Sequence, residues 1–250
     1  MNILLSNDDG YLSEGIRAVA LELQAEHNCT IVAPDSQRSA CSHSLTMFQP
    51  LTLKKEVLPQ INGAVYSCSG TPADCIKLAL FEIFKDKKPD LIISGINAGA
   101  NLGTDCIYSG TVAAAMEGMI SGIPAISLSL SVFKSVVPMH YVTAISALKK
   151  ALAIENVFSH LKNAMLNINA PNVPLNEIQG YKWAPLGLVN YQDTYDIEGN
   201  SYILKTGKLL ERVCDDASDI CLHMENYITY TLIHWDITAH NYMLQMKDIE

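Results

Sequence analysis

Short runs of consecutive apolar residues recur along the first two thirds of the chain, and polar turns end most of them. Five runs predict buried strands, at residues 3–5, 30–33, 89–94, 124–130 and 164–168. Residues 51–57 and 64–68 also have the composition of strands, and the Asn62-Gly63 pair between them is a hairpin signal.

Helical spacing of apolar positions fills several of the stretches between the strands. Helices are predicted over about residues 13–27 and 141–155. Another helix begins at Thr71, whose side chain can cap it, with Pro72 at its first position and Asp74 as a partner in the cap rather than a catalyst. The core-facing positions predicted for the first and last of these helices are Ile16, Val19, Ala20 and Leu23, and Val142, Ile145, Leu148 and Leu152.

The order of these elements predicts an α/β protein. Strand, helix and strand at the amino terminus form a βαβ unit, which favours a parallel sheet with a right-handed crossover. Continued alternation up to about Pro171 predicts a doubly wound, mostly parallel, Rossmann-like sheet between two layers of helices. Residues 1–174 are therefore expected to form the catalytic core.

Residues 175–250 differ in pattern and predict a β-rich C-terminal arm. Strands are expected at residues 181–189, 201–204 and 227–233, with solvated loops at 193–200 and 215–219 and a short helix at 241–249. The second loop is also a weak cation candidate. Exposed strand edges commonly pair with another copy of the chain, so this arm is expected to serve oligomerisation.

Composition narrows the classes of function. Hydrophobic residues make up 49% of the 250 residues, enough for a sizeable core, and the net charge is −9 without a basic tract. That balance argues against a nucleic-acid groove or an anionic membrane surface as the main partner. No apolar stretch is long enough to span a membrane. Seven scattered cysteines without a C-x-x-C pair predict mostly free thiols, and with them a cytoplasmic protein.

Candidate chemistry begins where the first strand ends, in the sequence Ser-Asn-Asp-Asp-Gly at residues 6–10. Two adjacent carboxylates at a strand end repel each other, and a cation would relieve that repulsion. The same residues can equally be an ordinary Asp-Gly turn. Taken alone, Asp8 and Asp9 favour neither interpretation.

Ser39 and Asn97 lie in two other loops that follow predicted strands. Because the carboxyl ends of parallel strands share one sheet edge, these loops can converge with Asp8 and Asp9. Two carboxylates, a hydroxyl and an amide oxygen are ligands for one hard divalent cation, and Mg²⁺ or Mn²⁺ suits a site open to phosphate.

A second set of residues favours binding of a phosphoryl group. Ser109, Gly110 and Thr111 precede the helical run 112–120, so the free N–H groups of a helix start would point at an anion. Neither G-x-G-x-x-G nor the P-loop pattern is present, which counts against a dinucleotide-dependent oxidoreductase. His43, in the polar stretch after the second strand, is a further candidate substrate contact or general acid.

The chain resembles the SurE family of stationary-phase survival proteins. The resemblance is carried in order by Asn7-Asp8-Asp9-Gly10, Arg38-Ser39 and residues 70–75, 94–103 and 108–118. It implies a metal-dependent nucleotidase that hydrolyses nucleoside 5′- and 3′-monophosphates, with exopolyphosphatase side activity, as a homodimer or homotetramer. It also implies one divalent cation on Asp8, Asp9, Ser39 and Asn97, with the phosphate at Asn97, Ser109, Gly110 and Thr111.

Two mechanisms fit Asp8 and Asp9 as catalytic residues. Water can attack phosphorus with one carboxylate orienting or deprotonating it, or Asp8 can attack directly to give an aspartyl-phosphate. The absence of the D-x-D spacing of aspartyl-phosphate phosphatases favours water. A non-catalytic nucleotide- or phosphate-binding protein is the alternative function, since it would need the glycine-rich loops without the paired acids.

Overall fold

A nine-stranded sheet dominates the computed structural model, which describes residues 1–132, 138–213, 217–240 and 243. The strands β1 to β11 are Asn2–Ser6, Asn28–Pro34, Leu53–Glu56, Val65–Cys68, Leu91–Ala98, Ala125–Ser131, Met165–Pro171, Gly180–Trp183, Leu188–Glu198, Ser201–Val213 and Tyr227–Ile233. Within those residues the sheet order is β3-β4-β2-β1-β5-β6-β7-β11-β8, and β9 and β10 form a separate two-stranded sheet.

The six strands from β4 to β7 in that order run parallel, while β3 and β11 are antiparallel to their inner neighbours. The chain moves outward from β1 to β2 on one side and later returns to β5 on the other side of β1. This reversal is a topological switch point, where ligands bind in open α/β sheets. The predicted α/β, doubly wound and mostly parallel fold is confirmed.

Helices cover both faces of the sheet and give three layers. The α-helices α1 to α6 are Glu14–Leu23, Pro72–Leu78, Gly110–Ile120, Tyr141–Leu152, Val157–His160 and Asp219–Met224. A π-helical turn at Ala79–Ile83 extends α2, and 3₁₀ turns lie at Gly103–Ile107 and Leu175–Glu177. Residues of α1 and α4 pack in one core cluster with the sheet, whereas residues of α2 and α3 pack in the other.

The predicted start of α2 is confirmed as a capping box. The Thr71 hydroxyl accepts from the Asp74 backbone N–H at 3.2 Å, and Asp74 Oδ2 accepts from the Thr71 N–H at 2.9 Å. The predicted inner face of α1 is also confirmed, because all four named apolar side chains are buried. Its end is different, since α1 stops at Leu23 rather than near His27.

The inner face predicted for α4 is partly wrong. Val142 is 68% exposed, whereas the buried positions are Thr143, Ala144, Ala147, Leu148 and Ala151. Small side chains let this helix approach the sheet closely, so the alanines take the centre of the contact. The larger Ile145 and Leu152 pack at its margin.

The C-terminal segment contributes two strands to the main sheet, because β11 pairs with β7 and β8 pairs with β11. The loop predicted at residues 193–200 is wrong, because β9 continues to Glu198 and turns at Gly199 into β10. This hairpin lies outside the nine-stranded sheet, so neither of its faces needs the apolar run that marks a buried strand. The proposed division at residue 174 stays a prediction.

The loop predicted at residues 215–219 is wrong at its last position. Asp219 is fully buried and begins α6. Asp215 and the predicted helix at 241–249 lie outside the described residues, apart from Met243.

Five cysteines are free thiols, in agreement with prediction: Cys29, Cys41, Cys68, Cys75 and Cys106. Cys221 is different, because it is disulfide-bonded. In the part of the chain that the structure describes, every helix is too short or too polar to cross a membrane.

Candidate functional site

The candidate site lies at the switch point, beside the carboxyl ends of β1 and β5. Ser6 and Ser94 are opposite each other in these two strands, and Asp8 and Asp9 follow two and three residues after Ser6. The strand-end loops converge as predicted if residues of the other loops surround these two carboxylates.

The turn after β1 is held by the Asn7 side chain. Its amide nitrogen donates to Gly10 O at 3.0 Å and to Ser13 Oγ at 2.6 Å, and its amide oxygen accepts from Gly10 N at 3.1 Å. Gly10 has φ +97°, a conformation that other residues rarely adopt. The turn interpretation of residues 7–10 is thus correct, and the turn fixes the direction of the two aspartates that it contains.

Asp8 is 5% exposed and faces the start of α3. The Thr111 hydroxyl donates a hydrogen bond to Asp8 Oδ1, and the Asp8 carbonyl accepts from the Arg38 N–H at 2.7 Å. Burial raises the pKa of Asp8; the Thr111 bond lowers it, and the charge of Asp9 raises it again. Asp8 is therefore a carboxylate that would gain from a nearby positive charge.

Asp9 faces the end of β5. Its Oδ2 accepts from the Ala98 backbone N–H at 3.1 Å, and burial raises its pKa as well. This contact exists because β5 continues to Ala98, past its predicted end at Ser94, with Asn97 opposite Ser129 on β6. Gly95 makes the extension feasible, since its φ is +137° and a Cβ there would lie 2.1 Å from the Leu128 carbonyl oxygen.

Ser39 is connected to Asp9 through Gln37. The Gln37 amide nitrogen donates to Ser39 Oγ at 2.9 Å and lies 3.5 Å from Asp9 Oδ1. Sequence reasoning missed this role of Gln37, because nothing in a polar loop marks one amide as a bridge to a residue 28 positions away.

The donor set fits a hard cation. Asn97 Nδ2 donates to Gly99 O at 3.0 Å, which leaves the amide oxygen free as an acceptor, in the residue before the Ala98 N–H that bonds to Asp9. Within the described residues no group of three His, Cys, Asp or Glu side chains is placed to hold a metal ion. A cation here would thus draw on the oxygens of Ser39 and Asn97 as well as those of Asp8 and Asp9, a set that suits Mg²⁺ or Mn²⁺.

The helix start predicted at residues 109–111 is present, and its side chains are already engaged. Ser109 is the N-cap of α3 and accepts from the Val112 N–H at 3.1 Å, while the Thr111 hydroxyl is taken by Asp8. Asp8 also accepts from the backbone N–H of Thr111. What remains for an anion at this helix start is the backbone N–H of Gly110, which has no acceptor within the helix. The site therefore places an anion donor beside the Asp8 carboxylate.

Gly110 is required where α3 approaches Asp8. A Cβ at this position would lie 2.8 Å from Cys41 Sγ and 2.9 Å from Asp8 Cβ. We expect Gly110→Ala to displace Asp8 and to lower kcat by about a hundred-fold, as misplacement of a reacting group by about 1 Å can do. Steady-state phosphate release measures the effect, with Ser121→Ala at the other end of α3 as control. Wild-type kcat in Gly110→Ala would show that this close packing is not needed.

His43 lies apart from the two carboxylates. Its Nε2 is 3.0 Å from Glu117 Oε2, and Lys77 Nζ is 2.9 Å from the other oxygen of the same carboxylate. Hydrogen bonds from His43 and Lys77 hold the pKa of Glu117 below its usual value, against the effect of burial. Glu117 is about 10 Å along α3 from Gly110, so the contact of His43 with substrate stays a prediction.

A buried polar network, also missed from sequence, anchors the loop between β5 and α3. The Asn101 backbone N–H donates to Asn169 Oδ1 at 2.8 Å, and the side-chain nitrogen Nδ2 of Asn101 donates to Ser129 Oγ at 2.8 Å. Asn167 Nδ2 and Asn169 Nδ2 donate to the Asn101 carbonyl at 2.9 and 3.0 Å. Two residues further on, the Gly103 N–H donates to Asp219 Oδ2 at 2.9 Å. These bonds fix the loop that leads from Asn97 to the α3 start.

Comparisons with known proteins point to one family. The family described as survival protein SurE matches residues 3–193 of the chain. Proteins named 5′-nucleotidase SurE from Alkaliphilus metalliredigens and Thermosipho africanus are each 39% identical to it; the alignments cover 100% and 99% of this chain and 98% and 97% of theirs. The crystal structure of the SurE protein from Aquifex aeolicus matches with a TM-score of 0.82 and 33% identity, covering 100% of this chain and 99% of that one.

Proposed function

This chain belongs to the SurE family, and we propose that it is a 5′-nucleotidase, a hydrolase that releases phosphate from nucleoside 5′- and 3′-monophosphates at the Asp8–Asp9 site. The observation that carries the proposal is the contact of Asp8 with Thr111, which joins the buried carboxylate pair to the anion-binding start of α3. Neither part alone would indicate hydrolysis of a phosphate ester.

Each residue then has a role in the reaction. Backbone N–H groups at the start of α3, beginning with that of Gly110, bind phosphoryl oxygens and stabilise the charge that develops there. The Thr111 hydroxyl and the Ala98 N–H keep Asp8 and Asp9 in fixed orientations. One of the two carboxylates orients or deprotonates the attacking water, whose oxygen bonds to phosphorus as the bond from phosphorus to the ribose oxygen breaks. The released ribose oxygen takes up a proton.

One divalent cation, Mg²⁺ or Mn²⁺, belongs to this proposal, held by Asp8, Asp9, Ser39 and Asn97. When bound, such an ion neutralises phosphoryl charge and lowers the pKa of a coordinated water. The support is that two adjacent carboxylates both have pKa values raised by burial, a cost that a cation would offset.

Chelation tests the metal directly. We expect phosphate release from adenosine 5′-monophosphate to fall to background after dialysis against chelator, and to return when Mg²⁺ or Mn²⁺ is added. Circular dichroism before and after dialysis checks that the fold persists. Full activity in exhaustively chelated enzyme would refute the metal requirement.

Attack by water and attack by Asp8 differ in whether the phosphoryl group becomes bonded to the enzyme during turnover. We expect enzyme that is acid-quenched during turnover of ³²P-labelled adenosine 5′-monophosphate to carry no label. Label on Asp8 would show an aspartyl-phosphate instead. Hydrolysis of short polyphosphate, the exopolyphosphatase side activity, can be measured with the same enzyme.

Oligomerisation through residues 175–250 is part of the proposal, as a homodimer or homotetramer. The β9–β10 hairpin exposes Tyr195, Ile197, Tyr202, Ile203 and Leu204, each by more than half. Tyr195, Ile197, Tyr202 and Leu204 share one face of the hairpin, because Tyr195 is opposite Leu204 and Ile197 is opposite Tyr202. An isolated two-stranded hairpin is marginally stable in water, and an apolar face of this kind suits a partner. Sedimentation analysis tests whether the chain forms such an oligomer.

The cytoplasmic location stays a prediction.

A further inference from the structure

A cavity of about 240 Å³ opens beside the carboxyl ends of β6 and β7. Ser131 ends β6 and Pro171 ends β7, and α6 supplies His223 to the opposite wall. The mechanism proposed above uses none of these residues.

Two polar side chains that line this cavity lack hydrogen-bond partners. Both ring nitrogens of His223 and the Ser131 hydroxyl make no hydrogen bond within the described residues, although each residue is only 3% exposed. An unsatisfied buried polar group costs about 1–3 kcal/mol, so packing alone does not account for a histidine here. These atoms are suited to bonds with a molecule that enters the cavity.

The cavity lies close to the candidate phosphate site. Asn97 is opposite Ser129 in the β5–β6 register, and Gly99 N donates to Leu130 O at 3.0 Å, next to Ser131. Ser131 lies two residues beyond Ser129 on β6, and β6 is the neighbour of β5. The spacing of residues along a strand and of neighbouring strands therefore puts the backbones of Ser131 and Asn97 about 8 Å apart. A nucleoside monophosphate is longer than this separation, so a molecule bound through its phosphate near Asn97 has the length to reach the cavity.

We infer that the His223 cavity binds the base of the nucleoside monophosphate, an inference that rests on the proposed function. Its volume is just below the range for drug-sized ligands and suits a single heterocycle. A neutral imidazole has one hydrogen-bond donor and one acceptor, and the Ser131 hydroxyl can donate or accept. Together they match the edge of a nucleobase, which carries both donors and acceptors. Burial lowers the pKa of His223 to about 4, so the ring carries no charge to attract a second phosphate.

Substrates with and without a base test the inference. For His223→Leu and Ser131→Ala, we expect the ratio of kcat/KM for adenosine 5′-monophosphate to that for ribose 5-phosphate to fall about tenfold, mainly through KM. His27→Leu is the matched control, because His27 Nδ1 is also unpartnered but the residue precedes β2, at the other edge of the sheet. Its ratio should equal the wild-type ratio.

Stability separates this role from a structural one. Because His223→Leu removes unpartnered polar atoms, its Tm should equal or exceed the wild-type Tm. An unchanged substrate ratio in both variants, or an equal loss on both substrates, would overturn the inference while the nucleotidase stands. Wild-type enzyme that hydrolyses neither substrate would overturn the proposed function and this inference with it.

Discussion

Asp8→Asn is expected to lower kcat for nucleoside monophosphates by about a thousand-fold or more. The amide keeps the shape of the side chain and can still accept from the Thr111 hydroxyl, but it cannot act as a base and loses the charge that would hold a cation. A thousand-fold lower rate corresponds to a loss of several kcal/mol of transition-state stabilisation, because each loss of about 1.4 kcal/mol slows the reaction tenfold. Steady-state phosphate release with saturating Mg²⁺ measures it.

The fold should survive this substitution. Burial raises the pKa of Asp8, which means that the folded state disfavours its charged form at neutral pH. Replacing the carboxylate with a neutral amide removes that cost, so the Tm of Asp8→Asn should equal or exceed that of the wild type. Asp35→Asn is the matched control, because Asp35 is exposed in the loop after β2.

Two outcomes would contradict the catalytic role. Near wild-type turnover in Asp8→Asn would show that the Asp8 carboxylate is not needed for the reaction. Tight binding of nucleotide by the wild type, without turnover under any metal condition, would favour the alternative of a non-catalytic nucleotide-binding protein.

Asp219→Ala is expected to reduce the free energy of unfolding by about 3 kcal/mol. Asp219 Oδ2 accepts from Gly103 N at 2.9 Å, and Oδ1 accepts from Gly187 N at 2.8 Å. Alanine leaves both backbone N–H groups without this acceptor, at about 1–3 kcal/mol each. Because Gly103 belongs to the loop between Asn97 and α3, activity should decline as well. Urea denaturation gives the free energy, and phosphate release gives the activity.

Asp193→Ala is the control for Asp219→Ala, since Asp193 is an exposed carboxylate on β9. It should unfold at the wild-type midpoint. A loss below about 1 kcal/mol in Asp219→Ala would mean that water replaces the carboxylate, and that Asp219 is not what joins α6 to the loop before α3.

Local signals predicted most of the fold. Apolar runs located the central strands because a strand buried on both faces has no polar side. The capping box at Thr71 and Asp74 was readable because it involves residues only three positions apart. The face of α4 was not readable, because hydrophobicity alone does not tell which side can approach a sheet most closely.

By itself, the sequence determined the start of α3 and the family to which the chain belongs, and it left a turn and a cation site as alternatives at residues 7–10. Tertiary structure decided which atoms meet there. Thr111 reaches Asp8 across 103 positions, Asn169 holds Asn101 across 68, and Asp219 holds Gly103 across 116. Such contacts follow from strand order and loop packing rather than from any local pattern. For the same physical reason, the unpartnered ring of His223 becomes visible only once its surroundings are assembled.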